Sequence, residues 1–290
     1  MARDTGFPDA DARSDFERSR RRAEISRLAA WVRRRPGDVN DVLPYDEVVR
    51  ALGMVTERNM GLQVIPTAQI VGSVDRPRDF DRYFRPRSPA LRARWQRLAA
   101  AQRRGEAMPP IEVKKIGDLY FVVDGHHRVS IAFARGFATI DAYVTEVVTQ
   151  VGADGIAVRS DLLLKDHRRL FLERVPLTGD ARDGIRMTNA WDYSILAESV
   201  EAWGFRLVQE TGNYLSRQEV AHRWYRDEFT PVVAMARDAG IMAQSTDAEV
   251  YMFVARERYR LARSHEWSPE IIDEVGERTT RKPWQPGQFF

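Results

Sequence analysis

The run YFVVDGHHRVSIAFARG, residues 120 to 136, gathers the side chains of this chain best suited to chemistry. Tyr120, Phe121, Val122 and Val123 read as a buried strand, and the residues after Arg128 read as a helix. Between them stand Asp124, Gly125, His126, His127 and Arg128, and two of the chain's 5 histidines are adjacent here. A strand-to-helix turn points unpaired backbone N–H groups outward, and the helix dipole adds partial positive charge. Gly125 lets the backbone approach a ligand with no Cβ in the way. His126, His127 and Arg128 supply donors where an anion would rest, and Arg128 has the bidentate geometry that suits phosphate. Asp124 is the one acceptor. It can orient a histidine, hold Mg²⁺ through oxygen or take a proton from a nucleophile. The group therefore suits a polyphosphate. Asp124, His126 and His127 are the candidate catalytic residues, and Gly125 to Arg128 the candidate phosphate-binding residues. Asp124 is also the candidate metal ligand.

Blander roles stay open for the same residues. The histidines can be surface donors at a helix N-terminus, and Asp124 can cap the helix. A transition-metal site fits poorly, because adjacent helical residues diverge by about 100° and no third ligand lies at a suitable spacing.

The elements that must position this turn are readable on both sides of it. LQVIPTAQIVGSV, from Leu62, is β-branched and strand-like. A polar loop follows, with arginines at 76, 78, 82, 85 and 87. Arg76 and Arg78, with Asp79, are expected to clamp phosphates from across the turn. Ser88-Pro89 starts a helix that ends before Gly105. IEVKKIGDLYFVVD is a hairpin turning at Gly117-Asp118. Gly136 closes the helix after the turn, and TIDAYVTEVV is a further strand.

Upstream, Ser14 to Arg35 reads as a basic amphipathic helix stopped by Pro36-Gly37. Its apolar stripe, Ile25, Leu28, Ala29 and Val32, is expected to pack on the core. A shorter helix is expected at Tyr45 to Leu52. Downstream, 151–188 reads as a mixed connector and the rest as helical. Ser216-Arg217-Gln218-Glu219 and Thr246-Asp247-Ala248-Glu249 form capping boxes, Ser268-Pro269 opens a last short helix, and the tail 278–290 is extended. LSRQEVAHRWYRDEF begins like the first helix of a helix-turn-helix, but the short turn and second helix do not follow.

Composition narrows the function classes. The chain has no cysteine, which removes disulfides, thiolate metal sites and thiol catalysis. No apolar run approaches the roughly 18 residues that span a bilayer, and the N-terminus does not read as a secretory signal. A cytoplasmic protein is expected. The net charge of +3 is unevenly placed: residues 12–35 hold nine arginines and three acids, or +6, so the remainder carries −3. That basic helix is the one electrostatic footprint for DNA.

The order of pieces from Gln63 to Val148 resembles the ParB N-terminal/sulfiredoxin-like domain. The matching stretches are VIPTAQI, RPRDF, LRARWQRLAAAQRRG, PPIEVKKIGDLYFVVDGHHRVSIAFARG and IDAYVTEV. The resemblance implies an α+β domain with a small mixed sheet, and a phosphate or nucleotide bound on Gly125 to Arg128. The chain departs from the best-known branches. Sulfiredoxins place a cysteine where His126 stands, so sulfinic acid reduction is excluded. Partition ParB proteins use a Gly-Glu-Arg-Arg turn, of which Gly125 and Arg128 match. Free serine kinases resemble the turn more closely, with Asp-Gly-His-x-Arg, but their first-strand glutamate is replaced here by Gln69.

The expectations are then these. Residues 1–58 form a basic helical segment, 59–150 the nucleotide-binding α+β domain and 189–277 an all-helical domain. The function expected is binding of a nucleotide (ATP, ADP or CTP) with Mg²⁺, with hydrolysis or phosphoryl transfer at the DGHHR turn. A DNA-associated regulator of the ParB type and a metal-dependent nuclease are the alternatives. A homodimer is expected.

Overall fold

The computed structural model describes residues 4–34, 37–262, 272 and 276–277. The chain divides into two compact units, 1–162 and 163–290. The first mixes helices with a six-stranded sheet, and the described part of the second is helical.

The sheet is built from β1 (Leu43–Pro44), β2 (Met54–Pro66), β3 (Ile70–Ser73), β4 (Ile111–Ile116), β5 (Leu119–Asp124) and β6 (Thr139–Thr149). Its spatial order is β1-β3-β5-β4-β6-β2. β3 runs parallel to β5, with Ser73 opposite Val122. β4 and β5 form the expected hairpin, with Ile116 opposite Leu119 across Gly117-Asp118. β2 starts at Met54, earlier than expected, and lies along the sheet edge against β6. Its sequence gives little strand signal before Leu62, because both faces are exposed there and no alternation of apolar and polar residues is required.

Four helices flank the sheet in this unit: α1 (Pro8–Val32), α2 (Tyr45–Leu52), α3 (Arg92–Arg103) and α4 (His126–Arg135). Ile65, Ile70, Phe80, Ile111, Val113, Val122, Val129 and Val144 form the core beneath α4. A second cluster joins Ala12 and Phe16 of α1 to Trp95 and Ala99 of α3 and Ile131 of α4. Trp95 donates its indole N–H to Ser130 Oγ at 2.8 Å, which satisfies the one polar atom that its burial strands.

α1 buries a different stripe from the expected one. Ile25, Leu28 and Val32 are 59%, 61% and 65% exposed, whereas Asp11, Ala12, Asp15, Phe16 and Ser19 are buried. The physical reason is length and charge. α3 spans only about 18 Å, enough to cover the first half of α1. There Arg103, itself buried, pairs with Asp4, Asp11 and Asp15. Charge pairing at i and i+4, together with Phe16 against Trp95, fixes the docking face. Residues 1–58 thus belong to the first unit rather than standing as a separate segment.

The second unit holds α5 (Leu162–Arg174, beginning one residue before the boundary), α6 (Gly179–Gly184), α7 (Asp192–Thr211), α8 (Arg217–Arg223), α9 (Thr230–Asp238) and α10 (Asp247–Ala262). The expected connector contributes Phe171, Val175, Leu177, Ile185 and Met187 to this unit's core. Both capping boxes form: Ser216 with Glu219, and Thr246 with Glu249. A π-helical turn, Trp224–Phe229, joins α8 to α9 just before Pro231, whose missing N–H cannot continue the ordinary ladder. The stop at Pro36, the helix from Ser268-Pro269 and the tail 278–290 lie outside the described residues.

Candidate functional site

The DGHHR turn forms where β5 hands over to α4. Gly125 sits at φ +99°, and a Cβ built there would come within 2.5 Å of Ile111 Cγ2. Glycine is thus needed twice, for the left-handed backbone and for contact with the neighbouring strand. No side chain caps α4. The first backbone donor returned to the cap is Val129 N, which reaches Gly125 O at 3.0 Å. Among the described residues, the N–H groups of His126, His127 and Arg128 find no protein acceptor. Three donors thus point out of the positive end of a ten-residue helix.

The histidines are walls rather than surface donors. Each is 5% exposed. His126 stacks on Phe80 at 6.0 Å and shares a 2.8 Å hydrogen bond between Nε2 and Ser73 Oγ. Ser73 Oγ also accepts from the backbone N–H of Arg76, tying the arginine loop to the turn. His127 meets Phe80 edge-on at 5.7 Å, and its buried Nδ1 has no hydrogen-bond partner. Burial, reinforced by the charge of Arg76, pushes His126 down to about 4. Burial, with Arg94 and Arg76, does the same to His127. Both imidazoles are therefore neutral at pH 7 and bring no positive charge of their own.

Arg128 turns toward its own chain. Nη1 donates to the carbonyls of Pro109 and Pro110, both at 2.6 Å, and Nη2 donates to Asp124 Oδ2 at 2.6 Å. Its role in the observed geometry is to pin the approach to β4 and the end of β5 together. Arg128 also lines a small pocket of about 110 Å³ with Pro109, Ile131 and Phe137. Asp124 remains 62% exposed at its side chain. Among the described residues no group of three metal-ligating side chains forms. Asp124 would thus hold Mg²⁺ only together with water and phosphate oxygens, which is how this ion is usually bound.

Arg76 lies beside the turn, its guanidinium 3.8 Å from Asp79. Arg78 is exposed on the loop and has no ion pair among the described residues. No protein-family model, curated protein or solved structure matches the chain. The site must therefore be read from its own chemistry. Ser73 and Phe80 contact the turn and Arg94 acts on His127 through its charge, yet residue type and spacing do not single these three out. Ser73 reaches His126 only because β3 pairs in parallel with β5.

Proposed function

We propose that the chain binds the phosphates of a nucleotide at the N-terminus of α4. The observation that carries this is the set of three backbone donors, on His126, His127 and Arg128, that have no protein acceptor. An anion there would satisfy them and gain from the helix dipole. The unpartnered His127 Nδ1 and the nearby Arg76 add to the same side of the balance. The resemblance to ParB N-terminal/sulfiredoxin-like domains supports the same reading. ATP, ADP or CTP with Mg²⁺ is the expected ligand. Asp124 supplies the carboxylate for metal or proton, so hydrolysis or phosphoryl transfer is the reaction class. A cytoplasmic location belongs to the same reading. No helix among the described residues is long and apolar enough to cross a membrane.

The test is a melting-temperature panel of ATP, ADP and CTP with and without Mg²⁺, on the wild type and on Arg76→Glu. Ligand binding to the native state raises stability by about 2.7 kcal/mol at a hundredfold excess over Kd. A shift that Arg76→Glu diminishes is expected. No shift with any nucleotide would overturn the proposal.

A second reading, DNA association, is favoured by one observation: Arg13, Arg21, Arg22, Arg27, Arg33 and Arg34 are all exposed on or just beyond α1. Binding through them would be sequence-independent and fall steeply with salt, by about 0.9 log units per tenfold salt per phosphate. Arg21→Glu with Arg27→Glu should then flatten that slope. Sequence-selective binding that survives this change would point away from α1.

A further inference from the structure

A cavity of about 480 Å³ opens between the middle of α1, the loop at Tyr83 and Arg85, and the C-terminal end of α4. None of the five turn residues lines it. Its walls carry four guanidinium groups, those of Arg18, Arg22, Arg85 and Arg135, against one carboxylate, Asp15. Asp15 is shared between the buried Arg103 and Arg18, whose guanidinium lies 3.3 Å from it. Asp81 binds Arg85 from behind at 2.7 Å. Among the described residues, Arg22 and Arg135 pair with no carboxylate, and Arg135 lies 5.3 Å over the ring of Phe137. The end of α4 contributes roughly half a negative charge here, which the two unpaired guanidinium charges of Arg22 and Arg135 outweigh.

Arg18 and Arg85 have carboxylate partners, so Arg22 and Arg135 are the charges left facing this space, and an entering anion would relieve their repulsion. The volume decides what kind. It falls within the ~300–1,000 Å³ range of small-molecule sites and exceeds what a single phosphate would fill. Tyr83 and Phe133 give it two aromatic surfaces. Guanidinium groups match phosphate oxygens in pairs, and aromatic faces suit a flat, apolar portion of the same ligand. We propose that this cavity is a second anion site, separate from the turn. The ligand class is a phosphorylated small molecule with at least two phosphate charges and a planar group, such as a nucleoside diphosphate.

The test is titration calorimetry of the full chain with inorganic pyrophosphate and with ADP. The wild type is expected to bind both, ADP more tightly. Arg22→Ala with Arg135→Ala should weaken binding at this site roughly 10- to 100-fold, the usual effect of losing a charged hydrogen bond. Arg76→Glu, at the turn, should leave this site unchanged. If the double variant melts far below the wild type, Arg22→Glu, at an exposed position on α1, carries the same test alone. Wild-type affinity and stoichiometry for both probes in these variants would overturn the proposal. So would loss of all pyrophosphate binding in Arg76→Glu, which would leave the turn as the site. Loss of all binding in Arg22→Ala/Arg135→Ala would keep the cavity and overturn the turn instead. A short DNA duplex is the control: if the double variant loses duplex binding but keeps both probes, the surface is a nucleic-acid interface and the cavity proposal fails.

Discussion

Arg128, in the first turn of α4, and Asp124, the last residue of β5, share a 2.6 Å hydrogen bond, but they face different surroundings: the guanidinium side chain is 14% exposed and the carboxylate side chain 62%. The arginine is structural in this arrangement, and the carboxylate is the group open to a ligand. Arg128→Ala removes the donors for two prolyl carbonyls and one carboxylate. It should lower stability by about 2–3 kcal/mol, the cost of losing charged hydrogen bonds. Urea unfolding reads the change, and a loss below about 0.5 kcal/mol would mean that the three bonds are dispensable.

Asp124→Asn tests the other member of the pair. An exposed ion pair is worth little, so stability should move by less than about 1 kcal/mol. Phosphate binding at the backbone donors should persist. Any turnover of nucleotide should vanish, because an amide neither accepts a proton nor brings charge to Mg²⁺. Undiminished hydrolysis by this variant would reduce Asp124 to a partner for Arg128.

Gly125→Ala should be among the costlier single changes in the first unit. The new Cβ meets Ile111 at 2.5 Å, and the backbone stays at φ +99°. Left-handed strain of about 1–2 kcal/mol adds to overpacking of about 1–3 kcal/mol. A denaturant midpoint unchanged within error would show that the turn relaxes freely.

The turn and its hairpin were legible because their signals are local. Gly117 and Gly125 mark sites of positive φ, and a capping box needs only residues three apart. The docking face of α1 was not legible. Ile25, Leu28 and Val32 make a better helical stripe than Ala12 and Phe16, and the choice between them is made by Arg103, about 90 residues away in sequence. The same holds for Ser73 against His126. The hydrogen bond crosses a separation of 53 residues, and it exists only once β3 and β5 pair. The early start of β2 is illegible for a different reason: a strand exposed on both faces imposes no pattern on its sequence.

The two buried histidines make stability depend on pH. Their folded values near 4 lie below the ordinary value of 6.5. The unfolded chain therefore takes up protons first as pH falls below 6.5. Stability should be complete at pH 7.5 and decline from 6.5 toward 4, by up to ~2 kcal/mol per histidine at pH 5. His127→Gln should remove its share of that slope. A wild type equally stable at pH 7.5 and pH 5 would contradict the burial described for both rings.

Asp192 gives the opposite sign in the second unit. It is the first residue of α7, it is 1% exposed, and neither carboxylate oxygen has a hydrogen-bond partner among the described residues. Burial, with the charge of Glu249, pushes it up to about 6 from an ordinary 3.8. An acid raised in the folded state favours folding while protonated, so its destabilising effect grows as pH rises from 3.8 through 6. The full difference corresponds to ~3 kcal/mol at pH 7. Asp192→Asn keeps the shape and removes the charge. It also forfeits a favourable interaction with the helix N-terminus of about 0.5 kcal/mol and brings an amide N–H₂ that must find acceptors. A net gain of about 1–2 kcal/mol at pH 7 is expected, shrinking to nothing near pH 4, where the native aspartate is already neutral. Urea unfolding of the two proteins at pH 4, 5.5 and 7 measures it. A variant destabilised equally at all three would mean that Asp192 acts in the fold as a hydrogen-bond acceptor rather than as a buried charge.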